Sequence, residues 1–249
     1  MWETLDFGNI DGSNRLTRKL KDGGLHDILT IVDVVNNTKR IKLTRCFNVS
    51  GSGLSPLRNS ILLKQLDMSV DDELYSPLSF SEEIVIPILT SIINTDGNSL
   101  VYLKLPQKWR KYKYTYREID TQLTVFLRRY DEVLVSRRME CKSCNQLVAV
   151  GRSGYISRTP NNYYGLQNHI CYSCLNAFCK DCLLEKRLRY CSNCEKDYCI
   201  DCTPFNGECS SSFEHCGNGH CSNCVGLIHC GCGDELCREC KQCGKCGCY

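Results

Sequence analysis

Thiol chemistry is the most conspicuous chemistry this chain offers. Of 22 cysteines among 249 residues, 21 lie from Cys141 onward and only Cys46 precedes them. The spacing repeats. Cys141-x2-Cys144 is followed by Cys171-x2-Cys174-x4-Cys179-x2-Cys182, and the same block returns as Cys191-x2-Cys194-x4-Cys199-x2-Cys202. Half of the block recurs twice more, as Cys216-x4-Cys221-x2-Cys224 and Cys232-x4-Cys237-x2-Cys240, with Cys209 and Cys230 placed to replace the missing first cysteines. Cys243 and Cys246 form one further pair, and Cys248 follows them.

Two thiolates separated by two residues sit on one tight turn and can occupy adjacent corners of a tetrahedron around zinc, with Zn–S near ~2.3 Å. One pair supplies two ligands, so a site needs two pairs. The x4 link is too short to bring both pairs of a block comfortably onto one ion, which predicts interleaved sites. The expected grouping is Cys141/Cys144 with Cys179/Cys182, and Cys171/Cys174 with Cys191/Cys194. Cys199/Cys202 then begins the next site with the Cys209–Cys224 region. At four ligands each, these cysteines allow about five structural Zn2+ ions, and His215, His220 and His229 can each replace a thiolate.

Apolar composition explains why staples are needed. Val, Ile, Leu, Phe and Met number 48 in residues 1–140 but only 18 in the 109 residues that follow. The first part can bury an ordinary core, whereas the second is too poor in apolar surface to fold by burial alone. The start, Met1-Trp2-Glu3-Thr4-Leu5-Asp6, lacks the basic stretch and apolar run of a secretory signal. A reducing, intracellular compartment (cytoplasm or nucleus) is therefore expected, where dense cysteine pairs read as metal sites rather than disulfides. The longest apolar run, Ile84–Ile93, is interrupted and too short to span a bilayer.

The first part has its own period. The middle members of an apolar-x-x-apolar-x-apolar pattern fall at Leu5, Ile41, Leu66 and Leu103, within Trp2/Leu5/Phe7, Thr38/Ile41/Leu43, Leu63/Leu66/Met68 and Leu100/Leu103/Leu105. Residues two apart on a strand share a face, so each unit directs two side chains inward. Between these strands lie helix-length segments. One begins at Leu25 and ends near Asn36-Asn37. Another opens on Ser79-Phe80-Ser81-Glu82, the form of a capping box, and contains Pro87, which should kink it or shift its start. Strands and helices alternating in register predict an α/β solenoid of about four parallel strands.

Ile41, Leu43, Cys46, Val49, Gly53, Leu54 and Leu57 resemble the cysteine-containing class of leucine-rich repeat, and Leu63, Leu66, Asp67, Met68 and Ser69 open the next unit. That resemblance implies a protein-binding solenoid and makes Cys46 a small buried residue rather than a metal ligand. The organisation expected is a leucine-rich-repeat domain over 1–105, a bridge over 106–140 and a cysteine-rich domain over 141–249. Within the bridge, Lys108–Arg117 mixes five basic residues with aromatics and reads as an alternating strand or edge loop. Leu123, Phe126, Leu127, Tyr130 and Leu134 mark an amphipathic capping helix, with Arg137-Arg138 at its solvated end.

The cysteine order over 141–194, with Asn168-His169-Ile170-Cys171 and Phe178-Cys179-Lys180-Asp181-Cys182, is similar to FYVE-type and RING-like cross-braces. FYVE likeness implies a phosphoinositide ligand, although Gly165–Ile170 carries one histidine and no arginine where that family has a basic run. RING likeness implies ubiquitin transfer. Eleven basic and ten acidic side chains in residues 141–249, made more negative by each tetrathiolate site, argue against nucleic acid. No nucleophile–base set, phosphate loop or His-Glu-x-x-His occurs, and sites closed by four thiolates lack the open position of catalytic zinc. The leading expectation is a non-enzymatic adaptor that binds proteins through the repeat face and a multi-zinc module. A ubiquitin-ligase component is the alternative, with a phosphoinositide reader behind it.

Overall fold

The computed structural model describes residues 2–9, 19–44, 46–69, 80–106, 109, 121–149, 168–179, 181–182, 188–191, 196–202, 205–208, 219–221, 228–229 and 235–236. The chain divides into two compact units, one built on Met1–Arg137 and the other beginning at Arg138.

In the first unit the four apolar triplets become strands β1 (Thr4–Asp6), β2 (Arg40–Lys42), β3 (Gln65–Asp67) and β4 (Tyr102–Lys104). They form one parallel sheet in sequence order. Leu5, Ile41, Leu66 and Leu103 are register partners across it, and all are buried. Phe7, Leu43, Met68 and Leu105, two residues on, are buried as well. The ladder continues past the strands where the Leu43 N–H donates to the Asp67 carbonyl at 2.7 Å and the Met68 N–H to that of Lys104 at 2.8 Å. The pattern's first position is less uniform. Leu63 and Leu100 are buried, and the polar Thr38 is accommodated by donating to the Trp2 carbonyl at 3.0 Å. Trp2 itself is 63% exposed, so the first triplet contributes only Leu5 and Phe7 to the core.

The connecting segments stack in the same order as the strands. A helix over Asp22–Ile31 packs on a 3-10 turn over Ser52–Leu57. That turn meets a helix over Glu82–Ile93, which packs against a helix over Gln122–Ser136. Ile41 and Leu66 are only 25 residues apart, which leaves room for no more than the 3-10 turn, so Gly53, Leu54 and Leu57 of the repeat pattern lie in that turn and not in an α-helix. Gly51 enters this turn at φ 111°, a conformation costly to any residue with a Cβ, and a Cβ there would collide with Val85. Asp22 joins two layers. Its carboxylate accepts the N–H groups of Ser50 at 2.8 Å, Gly51 at 2.9 Å and Gly53 at 2.9 Å.

Three local expectations shift. The stretch from Leu25 breaks at Asp33, at φ 48°, into Asp22–Ile31 and a short turn of helix over Val34–Asn37. The Glu82–Ile93 helix takes Ser81 rather than Ser79 as its N-cap residue, and Pro87 lies within the helix. Arg137 is no solvated helix end. It is half-buried and donates to the carbonyls of Leu100 at 2.5 Å and Asn98 at 2.6 Å, tying the Gln122–Ser136 helix to the entry of β4. The amphipathic prediction for that helix holds, with Leu123, Phe126, Leu127, Tyr130 and Leu134 all buried. Of the basic–aromatic stretch, Trp109 is buried and the other residues lie outside those described.

The second unit is a series of two-stranded antiparallel hairpins: β5 (Arg138–Glu140) with β6 (Leu147–Ala149), and β7 (Asn168–Ile170) with β8 (Ala177–Cys179). Then follow β9 (Leu188–Cys191) with β10 (Lys196–Cys199), β11 (Phe205–Glu208) with β12 (Gly219–Cys221), and β13 (Ile228–His229) with β14 (Glu235–Leu236). Isolated hairpins of this length are marginal in water, so something other than strand pairing must hold them. Among the described residues no helix is long and apolar enough to cross a membrane.

The Asp22 junction yields a stability prediction. Although burial opposes its charge, the N–H groups of Gly53, Ser50 and Gly51 hold its carboxyl below the ordinary value of 3.8. A depressed folded value means that this stabilisation is complete above pH 3.8 and is lost as pH falls through the folded value. Asp22→Ala should destabilise the first unit at pH 7 by about 2 kcal/mol, because three amides lose a charged acceptor at a partly exposed site. Denaturant unfolding followed by Trp fluorescence checks this, and the gap between the two proteins should narrow in acid.

Candidate metal centres

Each of the first two hairpins turns through a Cys-x2-Cys knuckle of the same construction. In β5–β6 the Cys141 N–H donates to the Gln146 carbonyl at 2.8 Å, and the Asn145 N–H to that of Cys141 at 2.8 Å. In β7–β8 the Cys171 N–H donates to Asn176 at 3.0 Å, and the Leu175 N–H to Cys171 at 2.9 Å. Asn145 and Leu175, each directly after the second cysteine, take left-handed backbone at φ 58° and 61°. The tight reversal requires that conformation. Asn adopts it at little cost, while Leu does so against its own preference.

Two clusters of four sulfurs result. Cys141, Cys144, Cys179 and Cys182 form one, and Cys171, Cys174, Cys199 and Cys202 the other, with the ligand atoms of each within 4.8 Å of one another. Cys144 and Cys179 sulfurs are 3.7 Å apart in the first, and Cys174 and Cys199 sulfurs 3.9 Å apart in the second. A tetrahedron with ~2.3 Å Zn–S bonds has edges of about 3.8 Å, whereas a disulfide needs about 2.05 Å. All nine cysteines with described side chains are free thiols. Each cluster therefore can hold a metal ion, and a soft four-sulfur donor set suits Zn2+.

The first grouping is the one expected from spacing. The second is not: Cys199 and Cys202, rather than Cys191 and Cys194, complete the set begun by Cys171 and Cys174. The reason is that the whole Cys-x2-Cys-x4-Cys-x2-Cys block is one hairpin. In β7–β8 the first pair, Cys171/Cys174, forms the knuckle, and in both blocks the second pair begins on the last residue of the returning strand, Cys179 or Cys199. The x4 link therefore separates the two pairs along a strand. β7 lies against β10, which delivers Cys199 to the Cys171 knuckle. Cys199/Cys202 is thus not the start of a site with the Cys209–Cys224 region.

Small apolar clusters surround the sulfurs. Val148, Ala177 and the half-buried Met139 pack with Cys141, Cys179 and Cys182. Phe178 and Leu188 pack with Cys171 and Cys199. Phe178, the aromatic before the third cysteine of the first block, belongs to this lining, and its counterpart Tyr198 is buried as well. Tyr198 meets Tyr172 edge-on at 5.7 Å, and Lys196 Nζ lies 4.1 Å above the Tyr172 ring.

Electrostatics favour ionisation of one thiol in each set. Burial works against Cys141, but N–H groups of Cys179, Cys144 and Ser143 outweigh it and bring the thiol down to about 6. The Cys171 thiol, hydrogen-bonded to Cys174, holds the latter at about 5 against its burial. Burial, with the Cys199 and Cys174 sulfurs, pushes Cys202 up to about 12, and Cys182 rises for the corresponding reasons. Four crowded thiols thus resist losing all their protons together, and a dication relieves that repulsion. Lys142 helps the second set from outside it. Its Nζ lies 2.6 Å from the Asp201 carboxylate and 3.9 Å from the Cys199 sulfur.

Cys46 stands apart. It is fully buried in the first unit, and burial followed by the nearby Asp6 charge raises its thiol to about 12. The remaining expected ligands divide by description. Cys191 and Cys221 end the described strands β9 and β12. Cys194, Cys209, Cys216, Cys224, Cys230, Cys232, Cys237, Cys240, Cys243 and Cys246 lie outside the described residues, as does His215. Sequence reasoning missed Lys142. Its signal, a lysine inside one knuckle and an aspartate before the last cysteine of the next block, has meaning only once the hairpins are in place.

No family model matches the chain, and neither a curated protein nor a solved structure shows detectable similarity to it.

Replacing Lys142 with Met should weaken ion retention at the Cys171 set by about 10-fold, as for other groups that orient ligands from behind. The Cys141 set should change less. Competition titration with a chromophoric chelator, combined with cysteine-specific alkylation mapping, reads the two separately.

Proposed function

We propose that this chain is a non-enzymatic adaptor, in which structural zinc holds a cysteine-rich module beside a leucine-rich-repeat-type protein-binding unit. The observation that carries this reading is that both sulfur clusters are complete with four cysteines. Four thiolates leave no position for a water or substrate, the arrangement of structural rather than catalytic zinc. Each such ion contributes on the order of 10 kcal/mol of apparent folding free energy, enough to organise hairpins with so little core. Function then falls to the surfaces.

Support for the repeat reading comes from the register of Leu5, Ile41, Leu66 and Leu103 and from the stacked connections behind them. On the opposite sheet face, Gln65, Asp67, Tyr102 and Lys104 are buried, while Asp6, Arg40 and Lys42 on β1 and β2 remain half-exposed. The surface proposed for a protein partner is this β1–β2 side, where Lys42 lies 3.3 Å from Asp6. Asp6, Arg40 and Lys42 make this a mixed-charge surface, suited to a partner segment of complementary charge pattern.

A specific feature favours a second reading. Hairpin β7–β8 supplies Cys171 and Cys174 to one cluster and Cys179 and Cys182 to the other, an interleaving shared with RING-like cross-braces. A ubiquitin-ligase component is accordingly the runner-up, although the grouping of Cys171/Cys174 with Cys199/Cys202 departs from the order that resemblance implies. The phosphoinositide reading has less support.

Purified zinc-loaded protein should form no ubiquitin chains with a panel of conjugating enzymes and should not sediment with phosphoinositide vesicles. In cells, crosslinking mass spectrometry should recover a defined protein set that the double variant Arg40→Glu, Lys42→Glu loses while keeping its zinc. Zinc-dependent chain formation would move the assignment to the ligase reading.

A further inference from the structure

The two sulfur clusters differ in where their surroundings come from. Among the described residues, the groups packed on the Cys141 set belong to the two hairpins that supply its cysteines. Met139, Val148 and Ala177 line it. The Cys179 N–H donates to the Cys141 sulfur at 3.3 Å, and the Cys182 N–H to the Cys179 sulfur at 3.5 Å. The Cys171 set borrows from outside. Its cysteines come from β7–β8 and from β10 with the turn that follows, yet the ammonium beside Cys199 is that of Lys142.

Lys142 lies inside the other set's knuckle, between Cys141 and Cys144. Its backbone is fixed there, because the Lys142 N–H donates to the Ala177 carbonyl at 3.0 Å and Cys141 bridges to Ala177. From that anchor the side chain crosses to the second set. Its Nζ lies 2.6 Å from the Asp201 carboxylate and 3.9 Å from the Cys199 sulfur. Asp201 stands between Cys199 and Cys202, so one lysine holds the pair that closes the second set. Four thiolates around a dication leave a charge of about −2, which a neighbouring ammonium offsets. A lysine gives up much rotamer freedom to keep such a contact, and an exposed ion pair alone returns little of it. The contact is worth most when the backbone beneath it is already held.

We infer that Lys142 couples the two sets, so that loading the Cys141 set with a zinc-like dication tightens the Cys171 set. With its four sulfurs drawn together, the Cys141–Cys144 knuckle holds Lys142 where Asp201 and Cys199 need it. The coupling rests on the reading that both clusters hold metal. Binding linkage is reciprocal, and in a titration the set that fills second registers it. That set is the Cys171 one, since the Cys141 set is complete within its own hairpins.

Alkylation of the full chain with N-ethylmaleimide in zinc-buffered solution, mapped peptide by peptide, tests this. Zinc should protect Cys144 and Cys182 at concentrations no higher than Cys174 and Cys202 require, and the reverse order would overturn the coupling. In the otherwise intact chain, Lys142→Met should raise the zinc needed to half-protect the Cys171 set about 10-fold. In a chain carrying Cys144→Ser and Cys182→Ser, whose first set cannot close, the same replacement should change it by less than about 2-fold. Equal shifts in the two backgrounds would show that Lys142 acts without the first ion, and the coupling would fall. Failure of zinc to protect either set at any concentration would overturn the underlying metal reading instead.

Discussion

The second unit rests on the convergence of sulfur atoms from separate hairpins onto one point. A two-stranded ribbon three or four residues long is marginal at best on its own in water. Here its turns and strand ends bring four thiols within 4.8 Å, close enough for mutual repulsion of thiolates to dominate if nothing neutralises them. The surrounding features serve that crowding. Backbone N–H groups point at Cys141 and Cys171, a lysine stands beside Cys199, and a few apolar side chains exclude water. The small clusters around Val148 and Phe178 shield the sulfurs and are far too small to form an independent core.

The first unit solves the same problem by conventional means. Its strands are equally short, but they pair laterally in one parallel sheet, and each places its middle apolar residue on the same line. The layers are then tied by polar contacts that cross from one connection to the next. Asp22 caps the amides around Gly51, and the Ser81 N–H donates to the Ser50 carbonyl at 2.8 Å. Arg137 anchors the last helix to the carbonyls before β4. Burial drives this unit together, and these directed contacts fix which neighbour each layer accepts.

Much of this was legible from residue types alone. Leu5, Ile41, Leu66 and Leu103 announce parallel strands because inward positions of such strands must be apolar, and the heptad-like spacing from Leu123 to Leu134 announces the last helix for a similar reason. Cys-x2-Cys pairs announce metal geometry because so few backbones can bring two sulfurs to one ion. What spacing could not disclose was which pairs meet. Interleaving of successive pairs predicts Cys191/Cys194 as the partner of Cys171/Cys174, but β10 delivers Cys199 to that knuckle instead. Arg137 is a similar case, since two adjacent arginines after a helix look solvated until the carbonyls of Asn98 and Leu100 are seen beside them. Contacts between distant segments leave no local trace.

Hairpin β7–β8 contributes to both sulfur clusters, one pair from its turn and one from its returning strand. Such a part is both bolt and nut. An array built this way can be lengthened by duplicating a single twenty-residue block, because the copy accepts the dangling turn behind it and offers an identical turn ahead. Growth by tandem copying would add one metal site at a time without rewiring those before it, which gives the shared cysteine spacing, aromatic and aspartate of the Cys171–Cys182 and Cys191–Cys202 segments a mechanical meaning.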